Sequence, residues 1–297
     1  MTAMAWQTTG DVTEFLAAAG PYLRRERARN TVILSVTETM RAAAPTAAAS
    51  TPAPAAEPAA GPLFGWWTGQ AGEVAGAFMH TPPFPVVLTE VAPPAAADLA
   101  ASAMAARPLR GVNAYPEVAA AFADGWRAGH AGGRADVFRR QRLYRLAELE
   151  WPDPAPGGTA RLARAADAPL TAAWFAAFAA EVEDMGRGED QSAAARAKID
   201  HGGVMIWEAG GEPVSIACNT VPAAGMVRIG PVYTPPEARG HGYASAATAA
   251  LSRRLLEQGA EEVVLYTDLA NPVSNSIYQR IGYRPVEDRV VLAFSAG

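Results

Sequence analysis

The stretch RGHGYASAATAALSRRL, residues 239–255, combines a basic residue, two glycines spaced one apart and the start of a helix. It follows the strand-like segment MVRIGPVY, so the local order is strand, loop, helix. Gly240 and Gly242 allow positive φ and a close approach by a ligand. The first N–H groups of a helix lack internal partners and point outward at the positive end of the helix dipole. The stretch therefore predicts a cradle for a pyrophosphate, which Arg239 could also contact.

The glycine loop by itself leaves a second interpretation open. A tight turn between a strand and a helix would use the same glycines without binding anything. A Walker loop needs Gly-Lys followed by Ser or Thr, which is absent here. A dinucleotide fingerprint needs a third glycine, where this chain has Ser245.

A second motif follows the next predicted strand, EVVLYTDL. Asn271 precedes Tyr278 by seven residues, and Gly282-Tyr283 comes shortly after. The loop motif, with Arg239, Gly240, Gly242 and Ala244, stands one helix and one strand earlier. As a pair, the two motifs resemble those of the GCN5-related N-acetyltransferase (GNAT) superfamily, and the resemblance covers residues 159–297.

The resemblance implies that acetyl-CoA is the cosubstrate and that no metal takes part. It implies a strand that splays from its neighbour to receive the pantetheine arm, and it makes Tyr278 the general acid for the departing thiolate. A phenol with an ordinary pKa of about 10 stays protonated at neutral pH, so it can donate that proton. The residues assigned to the cosubstrate are Val232, Tyr233, Thr234, Arg239, Gly240, His241, Gly242, Tyr243, Ala244, Asn271 and Asn275.

The sequence does not identify a general base. Asp268 and Glu208 are candidates, although a solvated carboxylate at a strand end explains each of them better. His80, His130 and His201 show no metal-ligand spacing. An acidic cluster could attract a cationic amine or could be a solvated helix end; its members are Glu181, Glu183, Asp184, Glu189 and Asp190.

The two halves of the chain have similar patterns, which predicts a duplicated α/β domain. Trp67 and Trp207 each end a strand that leads into a glycine turn and a second strand. We expect two tandem GNAT-like domains, each a mixed twisted sheet flanked by helices. Their predicted bounds are 1–150, with a mobile Pro/Ala-rich loop at 44–62, and 159–297.

The N-terminal copy departs from the motif. No Arg-Gly-x-Gly follows its strand PVVLTEV, and Phe122 stands near the position that corresponds to Tyr278. We therefore expect a degenerate domain that shapes or covers the acceptor site. The first helical pattern of this copy, residues 11–43, is predicted to break at Gly20-Pro21.

The composition favours a soluble cytoplasmic protein. Of its 297 residues, 50% are hydrophobic, which is enough for a sizeable core. The formal net charge of −5 argues against nucleic acid or an anionic membrane as a partner. Cys218 is the single cysteine, so no disulfide can form within the chain, and no stretch is apolar enough for a membrane span.

The function that these features favour is transfer of an acetyl group from acetyl-CoA to a small-molecule or peptide amine. Two alternatives stay open: a non-catalytic acyl-CoA-binding or regulatory module, and an acyltransferase that uses another acyl group or a hydroxyl acceptor. The identity of the acceptor and the oligomeric state are not encoded in any recognisable pattern.

Overall fold

The computed structural model describes residues 4–43, 61–182 and 191–295. The chain divides into two compact units: unit 1 comprises Met1–Gln141 and Asp288–Gly297, and unit 2 comprises Arg142–Glu287. These units differ from the sequence-based domains at both ends, because residues 142–150 lie in unit 2 and residues 288–297 in unit 1. Most of the predicted loop at 44–62 lies outside the described residues.

Residues 5–146 form five strands and four helices that end in a long sixth strand. In chain order they are β1 (Ala5–Thr9), α1 (Val12–Arg25), α2 (Thr31–Ala43), β2 (Leu63–Thr68), β3 (Val74–His80), β4 (Val86–Leu88), α3 (Pro93–Ala101), β5 (Gly111–Ala114), α4 (Pro116–Gly129) and β6 (Arg134–Leu146).

Residues 159–295 repeat this order of strands and helices, with two short 3-10 turns added. The elements are β7 (Thr159–Leu162), α5 (Ala168–Glu181), α6 (Ser192–Asp200), β8 (Val204–Ala209), β9 (Glu212–Asn219), β10 (Met226–Tyr233), α7 (Tyr243–Glu257), β11 (Glu262–Asp268), α8 (Pro272–Arg280) and β12 (Tyr283–Ser295). The common order β-α-α-β-β-β-α-β-α-β agrees with a duplication, and the mixed sheets flanked by helices confirm the α/β class.

The last strand of each half lies in the sheet of the other half. In unit 1 the strand order is β1-β2-β3-β4-β5-β12, and β12 pairs antiparallel with β5 from Val290 to Ala293. In unit 2 the order is β6-β11-β10-β9-β8-β7. The chain therefore passes from one unit to the other within β6 and returns within β12, which explains the compact units.

The predicted helix break at Gly20-Pro21 is wrong. Helix α1 runs through Pro21, and the chain turns only at residues 26–30. Phe15, Ala19 and Leu23 are buried on one face that spans the proline. Tertiary burial of this stripe outweighs the hydrogen bond that a proline removes from a helix interior.

In unit 2 the helices cover both faces of the sheet. Helix α7 packs its buried face against Val227, Ile229, Val263 and Leu265, in one core cluster. A second cluster on the opposite face joins α5 and α6 to β8 and β9, and its members include Phe175, Ala195, Val204, Ile216 and Cys218. Alternate residues of β10 and β11 therefore face different helices.

Candidate active site

Strands β10 and β11 separate halfway along β10. They pair in parallel only from Met226↔Glu262 to Ile229↔Leu265. The register between β10 and β9 also shifts between Ile229 and Val232. Gly230 sits at this point with φ +150°, and a Cβ there would meet no atom within 4 Å. The two strands are thus no longer paired beyond Ile229 and Leu265, which agrees with the splay that the resemblance implies.

The predicted pantetheine residues lie directly beyond this separation. Val232 and Tyr233 still pair with β9, opposite Ala217 and Ile216. The carbonyl of Tyr233 accepts a hydrogen bond from Ser215 Oγ at 3.2 Å. The carbonyl of Thr234 accepts one from Arg239 Nε at 2.9 Å. The backbone of β10 therefore stays paired with β9 at these residues, while its pairing with β11 has ended.

The glycine loop has the conformation that an anion cradle needs. Gly240 and Gly242 have φ values of +82° and +81°, which favour glycine. A Cβ on Gly240 would meet nothing within 4 Å, so space rather than packing surrounds this residue. Gly242 is the N-cap of α7 without a side-chain cap, and the N–H of Ala246 bonds to its carbonyl. The N–H groups of the first turn of α7 are thus free to bind an anion.

The side chains of the loop point elsewhere. Nη2 of Arg239 bonds to both carboxylate oxygens of Glu181, at 2.6 and 2.8 Å. His241 stacks on Tyr243, with ring centroids 5.4 Å apart. Tyr243 and Ala244 open helix α7. The loop therefore offers backbone N–H groups to an anion more than it offers these side chains.

The two asparagines of the second motif have different surroundings. Asn271 Oδ1 caps α8 by accepting from the N–H of Ser274 at 3.0 Å, and the amide is exposed. Asn275 Nδ2 donates to the carbonyls of Asp268 and Asn271, at 2.8 and 2.7 Å. Its Oδ1 accepts from the Tyr144 hydroxyl at 3.0 Å. Asn275 therefore clamps the start of α8, and Asn271 keeps its donors available.

Tyr278 lies on the buried face of α8. Its ring meets that of Tyr283 edge-on, with centroids 6.2 Å apart. No hydrogen bond joins its hydroxyl to a described residue, although 91% of the residue is buried. Burial raises its pKa to about 12. The phenol thus remains protonated at neutral pH and has a donor to offer.

The contacts around Gly282 of the same motif leave no room for a side chain. With φ +98°, a Cβ on this residue would lie 1.7 Å from the carbonyl oxygen of Glu148. Tyr283 is fully buried, and its hydroxyl lies 2.7 Å from Ser252 Oγ on α7. The Gly-Tyr pair therefore fixes α8 to the sheet and to α7.

The two candidate bases are engaged in structural contacts. Asp268 Oδ1 accepts from the N–H of Ala270 at 2.8 Å and shapes the turn before α8. Glu208 accepts from Arg161 Nε at 2.6 Å, and Arg161 also binds Asp167. Of the acidic cluster, Glu181 is described, whereas Glu183, Asp184, Glu189 and Asp190 lie outside the described residues.

The histidines do not form a metal centre in the described part of the chain. His80 accepts from Arg107 Nε, and burial lowers its pKa to about 4. His130 stacks on Trp126. Across residues 4–43, 61–182 and 191–295, no group of three or more His, Cys, Asp or Glu side chains could hold a metal ion.

In the same ranges no helix is long and apolar enough to cross a membrane.

The described part of unit 1 lacks two features of unit 2: a helix start rich in N–H donors and a point where two parallel strands separate. Helix α3 begins with Pro93 and Pro94, which have no N–H, and Ala92 caps it without a side-chain bond. At the point where β4 and β5 stop pairing, Nη2 of Arg289 donates to the carbonyls of Leu88 and Asn113, at 2.7 and 2.9 Å. A buried guanidinium thus ties together the two strands whose counterparts in unit 2 are apart.

Sequence reasoning missed two contributors. Tyr144 on β6 bonds Asn275 and also accepts from Gln279 Nε2 at 3.0 Å. It helps to line a cavity of about 790 Å³ beside α8, together with Arg142, Arg280 and Arg284. Arg289 fills the strand junction of unit 1. Both residues lie on exchanged strands, and no local pattern shows which sheet such a strand enters.

Known proteins resemble this chain in both sequence pattern and fold. Residues 159–283 match the model of the family described as Acetyltransferase (GNAT) family. A Drosophila structural-genomics protein matches with a TM-score of 0.65 and 14% identity over 99% of both chains. A GCN5-related N-acetyltransferase from Sphaerobacter thermophilus matches with a TM-score of 0.57 and 16% identity, over 98% of this chain and 95% of that one.

A GNAT-family acetyltransferase from Colwellia psychrerythraea matches with a TM-score of 0.54 and 10% identity, over 98% of this chain and 99% of that one. No curated protein matches the sequence. At these identities the structures show the fold, and the family model adds the sequence motif. Residues 159–283, which contain both motifs, therefore match the GNAT family in sequence, and the whole chain resembles GNAT proteins in fold.

Proposed function

We propose that unit 2 transfers the acetyl group of acetyl-CoA to an amine, by direct attack of the amine on the bound thioester. The observation that carries the proposal is the alignment of three features in one unit. These are the open separation of β10 from β11, the uncapped N-terminus of α7 at Gly242, and the buried donor Tyr278.

The cosubstrate would bind along these three features in turn. The N–H groups of the loop at Gly240 and Gly242, together with the first turn of α7, would hold the pyrophosphate. The exposed amide of Asn271 and the backbone of Val232 would bond the pantetheine arm. Asn275 would keep Asn271 and the turn before α8 in place.

The reaction would then need one bond made and one broken. The amine nitrogen attacks the thioester carbon, the C–S bond breaks, and the Tyr278 hydroxyl gives its proton to the sulfur. The surplus proton of the amine passes to water, because Asp268 and Glu208 are held in other contacts, and the Tyr278 phenolate regains a proton from water.

As part of this proposal the protein works in the cytoplasm, in keeping with the buried thiol of its only cysteine. The direct test is incubation with acetyl-CoA and a panel of amines, with detection of free CoA thiol. Thiol release that depends on one amine and yields its N-acetyl product supports the proposal. Binding of acetyl-CoA without any amine-dependent release would favour the non-catalytic module, and release with alcohols or other acyl-CoA esters would favour the other acyltransferase.

A further inference from the structure

Arg228 occupies a central position on β10, two residues before the strands separate. Its neighbours Val227 and Ile229 pack under α7. Because side chains alternate along a strand, Arg228 faces the opposite side, where α5 and α6 lie. This side chain thus approaches the strand junction from the face that α7 does not cover.

The guanidinium of Arg228 has no partner among the described residues. Its backbone bonds to Thr220, but no hydrogen bond or ion pair to a described residue involves its side chain. The residue is half-buried. Burial lowers its pKa, with the Tyr266 phenol acting in the other direction. Such a charge normally carries a partner, as Arg289 does in unit 1, where it donates to Asn113 and to the carbonyl of Leu88.

A second cation lies close to Arg228. Lys198 on α6 donates to the carbonyl of Asn219 at 3.0 Å. Burial lowers the pKa of Lys198, and the charge of Arg228 lowers it further. Cys218, which also acts on Lys198, stays a neutral thiol because burial raises its pKa to about 12.

The other polar groups on this face do not neutralise the two cations. Asn219 is 4% exposed, and its Oδ1 has no hydrogen-bond partner. Burial and Lys198 lower the pKa of His201, while the Asp200 carboxylate acts on it in the opposite direction. On β11, Glu262 faces the same side, and its carboxylate lies 4.0 Å from Arg145. The described groups around Arg228 and Lys198 thus leave an excess of positive charge in a partly desolvated place.

We infer that Arg228, assisted by Lys198, binds an anionic group of the acceptor, so that the substrate is a compact amine that also carries a carboxylate or a phosphate. This rests on the proposed acetyl transfer, in which the thioester would enter between β10 and β11, where the strands stop pairing beside Gly230. Two residues along a strand span about 6.6 Å, which suits an amine and an anion separated by a few bonds. The anion supplies the counter-charge that the described residues lack.

The test compares matched amines on the full chain. The panel consists of ω-amino acids of increasing length, their neutral amides and the corresponding aminoalkylphosphonates, each acetylated with acetyl-CoA. We expect kcat/KM to be at least tenfold higher for the anionic amines than for the amides. The ratio between carboxylates and phosphonates identifies which anion the site takes.

Variants then assign the preference to Arg228. Arg228→Gln should remove the preference for anionic amines with unchanged affinity for acetyl-CoA, and Arg228→Lys should restore part of it. Arg196→Gln, an exposed arginine on α6, is the matched loss of charge and should keep the preference. The melting temperature distinguishes a binding role of Arg228 from a structural one. Because its side chain has no partner among the described residues, Arg228→Gln should be no less stable than the parent.

A binding measurement keeps the two proposals apart. Calorimetry with the N-acetylated panel, in the presence of CoA, should show at least tenfold weaker binding of the anionic products to Arg228→Gln. If the products bind in this way but no amine is turned over, only the proposed function fails. Equal kcat/KM for anionic and neutral amines, or a preference that survives Arg228→Gln, would overturn the inference about Arg228 while the acetyl transfer stands.

Discussion

Arg239 of the glycine loop is bonded through one nitrogen to both carboxylate oxygens of Glu181 at the end of α5. The pair joins the glycine loop to helix α5 on the opposite face of the sheet, and it engages the guanidinium of Arg239. The two side chains are 47% and 44% exposed, so the pair contributes about 0–1 kcal/mol to stability.

Glu181→Gln should therefore leave the melting temperature nearly unchanged and tighten acetyl-CoA binding by up to about fivefold, because Arg239 is released to the anion. The gain should shrink as salt rises, since salt screens exposed charges. Calorimetry at low and high ionic strength measures both effects. Weaker binding in the variant would show that Glu181 positions Arg239 for the cosubstrate.

Gly242 should be sensitive to any side chain. Gly242→Ala forces a left-handed alanine at the N-cap and sets its Cβ against Pro156. Relief of this strain should turn the loop N–H groups away from the anion, so acetyl-CoA should bind at least tenfold weaker, or about 1.4 kcal/mol. The matched control is Gly259→Ala at the other end of α7. Gly259 has φ +89° and open space around its Cβ position, so it carries the same backbone strain without the ligand. Similar affinity in the two variants would rule out the cradle.

Only unit 2 should bind acetyl-CoA. Pro93 and Pro94 remove N–H donors from the start of α3, and Arg289 bridges the strands β4 and β5. Calorimetric titration should give one site per chain, and Gly242→Ala should weaken that site without revealing another. Two sites of comparable affinity would contradict the degenerate role of unit 1.

Stability should fall in alkaline solution through the buried phenols. Burial raises the pKa of Tyr278 to about 12, and that of Tyr283 is raised as well. The pKa of the phenol is higher in the folded protein than in the unfolded chain, where it is about 10. The protonated phenol therefore contributes fully to the free energy of unfolding below about pH 10, and this contribution is lost as the pH rises from about 10 to 12. Urea unfolding across this range should show a decline that is shallower in Tyr278→Phe. An identical decline in the variant would show that the Tyr278 phenol ionises freely in the folded protein.

The sequence predicted the local parts of this molecule better than the long-range ones. Gly240, Gly242 and the helix that follows have signatures within a few residues, and the structure has the expected loop and helix. The exchange of β6 and β12 could not be predicted, because strand pattern shows which face is buried and not which neighbour the strand takes.

Side-chain contacts between distant parts of the chain could not be predicted from the sequence either. Arg239 and Glu181 are 58 positions apart, and nothing in either segment indicates the pair. Pro21 suggested a break that burial of Phe15 and Leu23 overrides. Arg228 attracted no notice because a lone arginine in a strand is ordinary until its neighbours are known.

In the proposed reaction of unit 2, Tyr278 protonates the departing thiolate. The most direct test of this step is steady-state kinetics of Tyr278→Phe on an accepted amine, with acetyl-CoA affinity and melting measured alongside. The hydroxyl has no described partner to lose, so the ring and its packing should survive. We predict a fall in kcat of about 10²–10⁴ with acetyl-CoA affinity and melting temperature little changed. Turnover at the parent rate would show that Tyr278 is not the acid and would leave water as the proton donor.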